Sequence, residues 1–174
     1  MLSKLEAQSS RDREKRSLAI GQRLFALEIF KKSSCVCFYV STPKEVDTHG
    51  MIDRALETRK HVLVPRVDLE SKKLAFFEIK ERMQDLEPGA HGILEPRVGH
   101  CRRARTDEMN LLIVPGLAFD SQMRRLGRGA GFYDRCLESL KPGTYKIGLA
   151  FSFQNVPEIP EETHDEKVDL VLTD

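Results

Sequence analysis

The sequence has no surplus of charge. Its 174 residues carry 28 Lys and Arg against 27 Asp and Glu, a formal net charge of +1. Bulk electrostatics therefore give no reason to expect nucleic acid or an anionic membrane as partner. No apolar stretch approaches the roughly 18 residues of a membrane span, and residues 1–16 are too polar for a secretory signal. The expectation is a cytoplasmic protein with no membrane partner. Cysteines are few: Cys35, Cys37, Cys101 and Cys136, with no second ligand pair at zinc-site spacing. Cys35 and Cys37 lie one residue apart in an apolar run, where strand alternation puts both on one face. Buried reduced thiols are expected, since free Cys packs as a small hydrophobe. There is no repeat, low-complexity tract or dividing linker. One domain over residues 1–174 follows, long enough to bury a core.

Strands and helices alternate along the chain. Residues 10–32 read as a helix with Leu18, Leu24, Leu27 and Phe30 near one face and Arg13, Lys15, Arg16 and Arg23 around the rest. Strands are expected at 35–40, 61–65, 74–79, 111–114, 146–151 and 168–172, with a brief extended piece at 93–96. Further helices are expected from Asp47 or Thr48 to about 59, and over 131–140. Residues 98–108 are polar and basic and read as a surface connection. The all-apolar runs suit strands covered on both faces. The pattern implies an α/β fold with a mostly parallel sheet between helices.

In such sheets ligands collect where loops leave the carboxyl ends of strands. Two loops stand out. One follows the first strand: Ser41-Thr42-Pro43-Lys44-Glu45-Val46-Asp47-Thr48. The other follows Val114 and contains Arg124-Arg125-Leu126-Gly127-Arg128-Gly129-Ala130-Gly131-Phe132-Tyr133-Asp134. Glycines at every second position allow close backbone approach and positive φ, and successive N–H groups form an anion nest at a helix start. Arg125 and Arg128 supply forked donors matched to phosphate oxygens. The loop is neither a Walker A sequence nor a Rossmann fingerprint. Asp134 is either an acid stabilised by the helix dipole or a magnesium ligand. A second carboxylate could come from the segment His164-Asp165-Glu166-Lys167-Val168-Asp169. His49, His61, His91 and His100 have no recognisable partners and read as structural.

These segments resemble a known family. Pro115-Gly116-Leu117-Ala118-Phe119-Asp120 followed by Arg125 to Asp134 is similar to the signature of 5-formyltetrahydrofolate cyclo-ligase, also called 5,10-methenyltetrahydrofolate synthetase. Tyr39-Val40-Ser41 with Glu45 to Thr48, Pro65-Arg66-Val67, Gly92-Ile93-x-Glu95-Pro96 and His164-Asp165-x-x-Val168-Asp169 recur in family order, so the resemblance runs from about Ser17 to the C-terminus. It implies a three-layer α/β/α sandwich like the NagB/RpiA/CoA transferase-like group, acting as a monomer. The implied activity is ATP- and Mg²⁺-dependent conversion of 5-formyltetrahydrofolate to 5,10-methenyltetrahydrofolate with release of ADP and phosphate. By position, Arg125, Leu126, Gly127, Arg128, Gly129, Ala130, Gly131, Phe132 and Tyr133 would bind ATP, with Arg125 and Arg128 catalytic. Val40, Glu45, Phe119, Arg128 and Phe132 would contact folate, and Asp134 and Asp165 would hold Mg²⁺.

The chain departs from the family pattern at Ala130, where Lys is usual, and at Arg124, where Gly is common. The family's N-terminal Lys and Arg that reach ATP fall before its first residue; Lys4, Arg11 and Arg13 are the nearby cations. These departures motivate an alternative, a non-catalytic folate- or nucleotide-binding relative. A sugar-phosphate isomerase on the same fold is a third reading, which the Glu45 loop argues against.

Overall fold

The apolar runs become strands because both of their faces find cover. In a computed structural model describing residues 1–89, 92–160 and 166–174, seven strands form one sheet. They are β1 (Cys35–Cys37), β2 (His61–Asp68), β3 (Lys73–Ile79), β6 (Arg102–Ala104), β7 (Leu111–Val114), β10 (Tyr145–Leu149) and β11 (Leu170–Leu172). Their order is β11-β10-β7-β1-β2-β3-β6, parallel from β11 to β2 and antiparallel at β2–β3 and β3–β6. Two short ribbons accompany it: β4 (Leu86–Pro88) with β5 (Leu94–Pro96), and β8 (Ala118–Phe119) with β9 (Arg125–Leu126). The helices are α1 (Leu2–Glu6), α2 (Ser10–Ala26), α3 (Glu28–Lys32), α4 (His49–Glu57), α5 (Arg82–Asp85) and α6 (Phe132–Glu138). None of these is long and apolar enough to cross a membrane.

Alternation along the central strands sorts the core into two layers. Val36, Val62, Val64, Leu111 and Ile113 pack with Ile20 and Leu24 of α2 and Ile52 of α4. Cys35, Cys37, Leu63, Leu112 and Val114 pack on the other side with Cys136 and Leu137 of α6. The mostly parallel sheet with helices on both faces is therefore present, and Cys35 and Cys37 do share a face. All four cysteines are free thiols.

Several boundaries differ from expectation. The helix expected over 10–32 breaks at Leu27, whose φ −66° and ψ 133° are extended. The break swings Phe30 inward to meet Phe25 edge-on at 5.1 Å. Leu18 faces solvent; the inner face is instead Ser17, Ile20, Gly21 and Leu24. Gly21 faces Met51 of α4, and a Cβ added there would lie 3.4 Å from the Met51 side chain. β2 runs three residues beyond Pro65, past its last β1 partner Leu63, and keeps its pairing with β3 as far as Asp68. Residues 98–108 are not merely a surface connection: Arg102–Ala104 is an edge strand of the sheet. Its charges concealed it. Arg102 pairs with Glu78 across the strand gap at 2.7 Å, and charged edges are how sheets discourage further pairing.

Phe119 is fully buried, its ring wedged between two backbones. A Cβ added at Gly148 would lie 2.5 Å from the ring, and one added at Gly116 would lie 2.6 Å from it. Gly148→Ala is therefore expected to destabilise by about 1–3 kcal/mol through overpacking, a fall of several degrees in Tm by thermal denaturation. An unchanged Tm would show that the wedge is loose.

Candidate active site

β1 and β7 are parallel neighbours, so the loops leaving their carboxyl ends emerge side by side. With the end of β2, the start of β3 and the β5 region, these loops enclose a cleft of about 760 Å³. Its lining includes Val40, Thr42, Glu45, Pro65, Val67, Leu74, Leu94, Arg125, Arg128 and Phe132. This combination of an apolar wall and a few convergent polar groups is the usual composition of a small-molecule site.

The first loop is braced by its own side chains. Ser41 N–H donates to Thr48 Oγ1 and Thr48 N–H to Ser41 Oγ, both at 3.1 Å, while Thr48 Oγ1–H donates to the Tyr39 carbonyl at 2.6 Å. Thr48 precedes α4 as its N-cap residue, but its hydroxyl serves the loop rather than the helix. Glu45 Oε2 accepts from Thr42 N–H at 2.8 Å, and Oε1 accepts from Arg128 at 3.3 Å. Glu45 and Arg128 thus join the two loops across the cleft.

The second loop hangs on Asp120. Its buried carboxylate accepts from the N–H groups of Gln122, Arg124 and Ile159 and from Arg124 Nε. Burial opposes its charged form, but the Ile159 N–H and the Arg124 donors outweigh that and hold its pKa below the usual carboxylate value. Beyond β9 the glycines do two different things. Gly129 and Gly131 have φ of 85° and 65°, as a left-handed turn requires. Gly127 instead makes room, since a Cβ there would lie 2.9 Å from Arg125 Nη1.

The two arginines are not equivalent. Arg128 is largely exposed, its side chain 55% accessible. Arg125 is sunk into the cleft floor, paired with Asp134 and 5.9 Å from the centre of the Tyr133 ring; its Nε has no acceptor among the described residues. Burial pushes the Tyr133 phenol well above its ordinary pKa, so it stays protonated. Asp134 lies in the first turn of α6 as expected. Val40 and Phe132 line the cleft, and Arg135 lies over the Phe132 ring at 5.3 Å. Two expected positions differ. Phe119 is not a cleft wall, because Gly116 and Gly148 enclose it beneath the floor. Leu126 faces away from the cleft, although its carbonyl secures the loop by accepting from Leu117 N–H at 2.8 Å.

Asp165, with His91 and His164, lies outside the described residues. Among the described residues no three His, Cys, Asp or Glu side chains cluster as a metal cage. The other histidines have partners that explain them: His49 with the Ser41 carbonyl, His61 with Glu78 and His100 with Asp85. Burial raises the thiols of Cys35 and Cys136 to about 11 and about 12, too high for a reactive thiolate. Lys44, not singled out from sequence, lines the cleft and pairs with Glu6 at 2.6 Å. Its signal was adjacency to Glu45. Arg13, considered as a nucleotide cation, is instead occupied with the first loop.

Comparison with known proteins places the chain. A family model described as the 5-formyltetrahydrofolate cyclo-ligase family matches residues 1–174. A Mus musculus protein named 5-formyltetrahydrofolate cyclo-ligase is 32% identical over 97% of this chain and 87% of its own length. A Mycolicibacterium smegmatis protein of the same name is 34% identical over 79% of this chain and 72% of its own. The solved structure of Aquifex aeolicus 5,10-methenyltetrahydrofolate synthetase superposes with a TM-score of 0.85 at 32% identity, covering 98% of this chain and 84% of that one.

Asp120→Asn is expected to lower stability by about 3 kcal/mol, since it removes charge from a buried ion pair. The sign of the pH effect follows from the lowered pKa. Wild-type stability from this group is present above the unfolded value near 3.8 and is lost as pH falls toward the folded value. Denaturant midpoints of both proteins between pH 7 and pH 3 should converge; a constant gap would refute the assignment.

Proposed function

The chain belongs to the 5-formyltetrahydrofolate cyclo-ligase family, and from that premise we propose that its cleft closes 5-formyltetrahydrofolate to 5,10-methenyltetrahydrofolate using ATP and Mg²⁺. The observation that carries this reading is the Glu45–Arg128 contact, which brings the folate-type loop and the phosphate-type loop to opposite sides of one cavity. Glu45 would accept the N–H donors of the pterin, a match of carboxylate to donor edge. Val40 and Phe132 would flank the ring. Residues Arg125 to Tyr133 would receive the triphosphate through backbone N–H groups and the two guanidinium groups.

The residues suit ATP: a glycine turn open to a ligand, and a cleft-lining guanidinium with one N–H lacking an acceptor. They also suit Mg²⁺ held chiefly through phosphates, which needs only one or two protein carboxylates. Asp134 would be one, with Asp165 as its partner. When bound, ATP supplies the phosphoryl group that makes the formyl oxygen a leaving group, so that N10 can close the ring. The protein's task is then orientation and charge neutralisation. Arg128, exposed and lightly held, would follow the phosphoryl group. Arg125, fixed under the loop by Asp134, would hold its position from below. The proposed acting unit is the monomer, because one chain carries every residue named.

One observation favours a second reading, a binding relative without turnover. The cations lining the cleft, Lys44, Arg125 and Arg128, are each paired with a carboxylate, and Ala130 adds no charge. The assay that separates the two follows the near-ultraviolet absorbance of the methenyl product. Growth that requires both 5-formyltetrahydrofolate and ATP is expected; folded protein that binds ligand calorimetrically with Mg²⁺ present but forms neither ADP nor chromophore would establish the second reading. Arg128→Ala should reduce kcat/KM by about 10²–10³, the usual effect of removing one transition-state donor. Because the side chain is exposed, its Tm should stay near wild type. A rate within twofold of wild type would remove Arg128 from the mechanism.

A further inference from the structure

We propose that Arg13 is a positioning residue for folate recognition: from α2 it fixes the turn that presents Glu45, without itself reaching the cleft. The proposal rests on the assignment of Glu45 to the folate. Loop carboxylates orient a ligand only when their backbone is held, and here the loop's own bonds are joined by a grip from outside it. Arg13 Nε donates to the Glu45 carbonyl at 2.8 Å and Nη2 to the Thr42 carbonyl at 3.2 Å, with Nη1 3.5 Å from Asp47 Oδ2. Thr42 and Glu45 are the ends of one turn, closed by Glu45 N–H donating to the Thr42 carbonyl at 3.1 Å. One planar fork therefore grips both ends of the turn. The Ser41–Thr48 bonds fix the base of the loop but not this tip.

The helix is built to deliver that grip. Ser9 caps α2 by accepting from Asp12 N–H at 3.1 Å, which fixes where the first turn points. Four residues beyond Arg13, on the same face, Ser17 Oγ accepts from Asp47 N–H at 2.9 Å. Arg13 is 19% accessible and does not line the cleft, so it acts through Glu45 rather than on a ligand. A lysine would not reproduce this grip, because its ammonium is a compact point charge on a flexible stem and lacks the rigid planar fork that spans the two carbonyls.

The test is steady-state kinetics on the full chain with each substrate varied in turn. Arg13→Ala should raise the KM for 5-formyltetrahydrofolate by about tenfold, the scale of a lost charged hydrogen bond. The KM for ATP should stay within about twofold, and Arg13→Lys should fall between. Arg16→Ala serves as control, removing contacts of the same helix with Asp174 and Phe153; it should leave both constants unchanged. Equal rises in both KM values, or none, would overturn the proposal. So would an Arg16→Ala variant that reproduces the Arg13→Ala pattern. If Arg13→Ala does not fold, Arg13→Lys decides alone: a folate-selective rise supports the role, and wild-type constants refute it. If wild type shows no turnover, calorimetric binding of 5-formyltetrahydrofolate separates the two ideas. Heat lost in Arg13→Ala sustains this inference while the ligase reading fails, and no wild-type heat overturns both.

Discussion

Parallel pairing of β1 with β7 is the constraint on which the site depends. Val36 opposite Leu111 and Cys37 opposite Leu112 bring the two carboxyl ends to the same edge of the sheet, so that one loop arrives with Glu45 and the other with Arg125 and Arg128. That pairing survives only because both faces of these strands are covered, by α2 and α4 on one side and α6 on the other. α6 has a double role. Its buried Cys136 and Leu137 close the second layer, while its first turn carries Asp134 to the cleft floor. Core packing and site geometry are therefore coupled through a single seven-residue helix.

Charges in the site are balanced before any ligand arrives. Arg125 pairs with Asp134, Arg128 with Glu45, Lys44 with Glu6 and Arg66 with Glu95. Paired in this way, the two cleft arginines leave no local excess of charge. It also separates the arginines by burial. A guanidinium under the floor cannot lose its carboxylate without leaving a charge uncompensated, whereas one at the mouth can exchange water, carboxylate or another anion at little cost.

The sequence made some of this legible and hid the rest for definite reasons. Leu111 to Val114 could be read because an all-apolar run stopped by Pro-Gly has few other structures. The glycine loop could be read because its alternation is rare and its cations are local. Arg102–Ala104 could not, since an edge strand built of charges carries no hydrophobic period. Leu18 misled because the buried face of α2 is the one that Ile20 and Leu24 carry into the core, a tertiary choice the apolar spacing alone leaves open. Phe119 misled in a similar way: an aromatic beside a site motif suggested a ligand wall, and two glycines distant from each other in sequence bury it. Arg13 was visible as a cation, but its target, a pair of carbonyls about thirty residues away, exists only once α2 has docked.

The Glu45–Arg128 pair shows how a site can be ordered without being locked. Its 3.3 Å contact spans residues 83 apart in sequence, so it restrains both loops relative to each other. Yet Arg128 is mostly exposed, and ion pairs of that kind contribute only about 0–1 kcal/mol. Any ligand that takes either partner must displace the other, at a cost no larger than that. The stronger restraints lie behind the pair: the Asp120 carboxylate under one loop, and the Ser41–Thr48 and Arg13 bonds under the other. Rigidity is thus placed where backbone must be held, and a weak contact where groups must change partners.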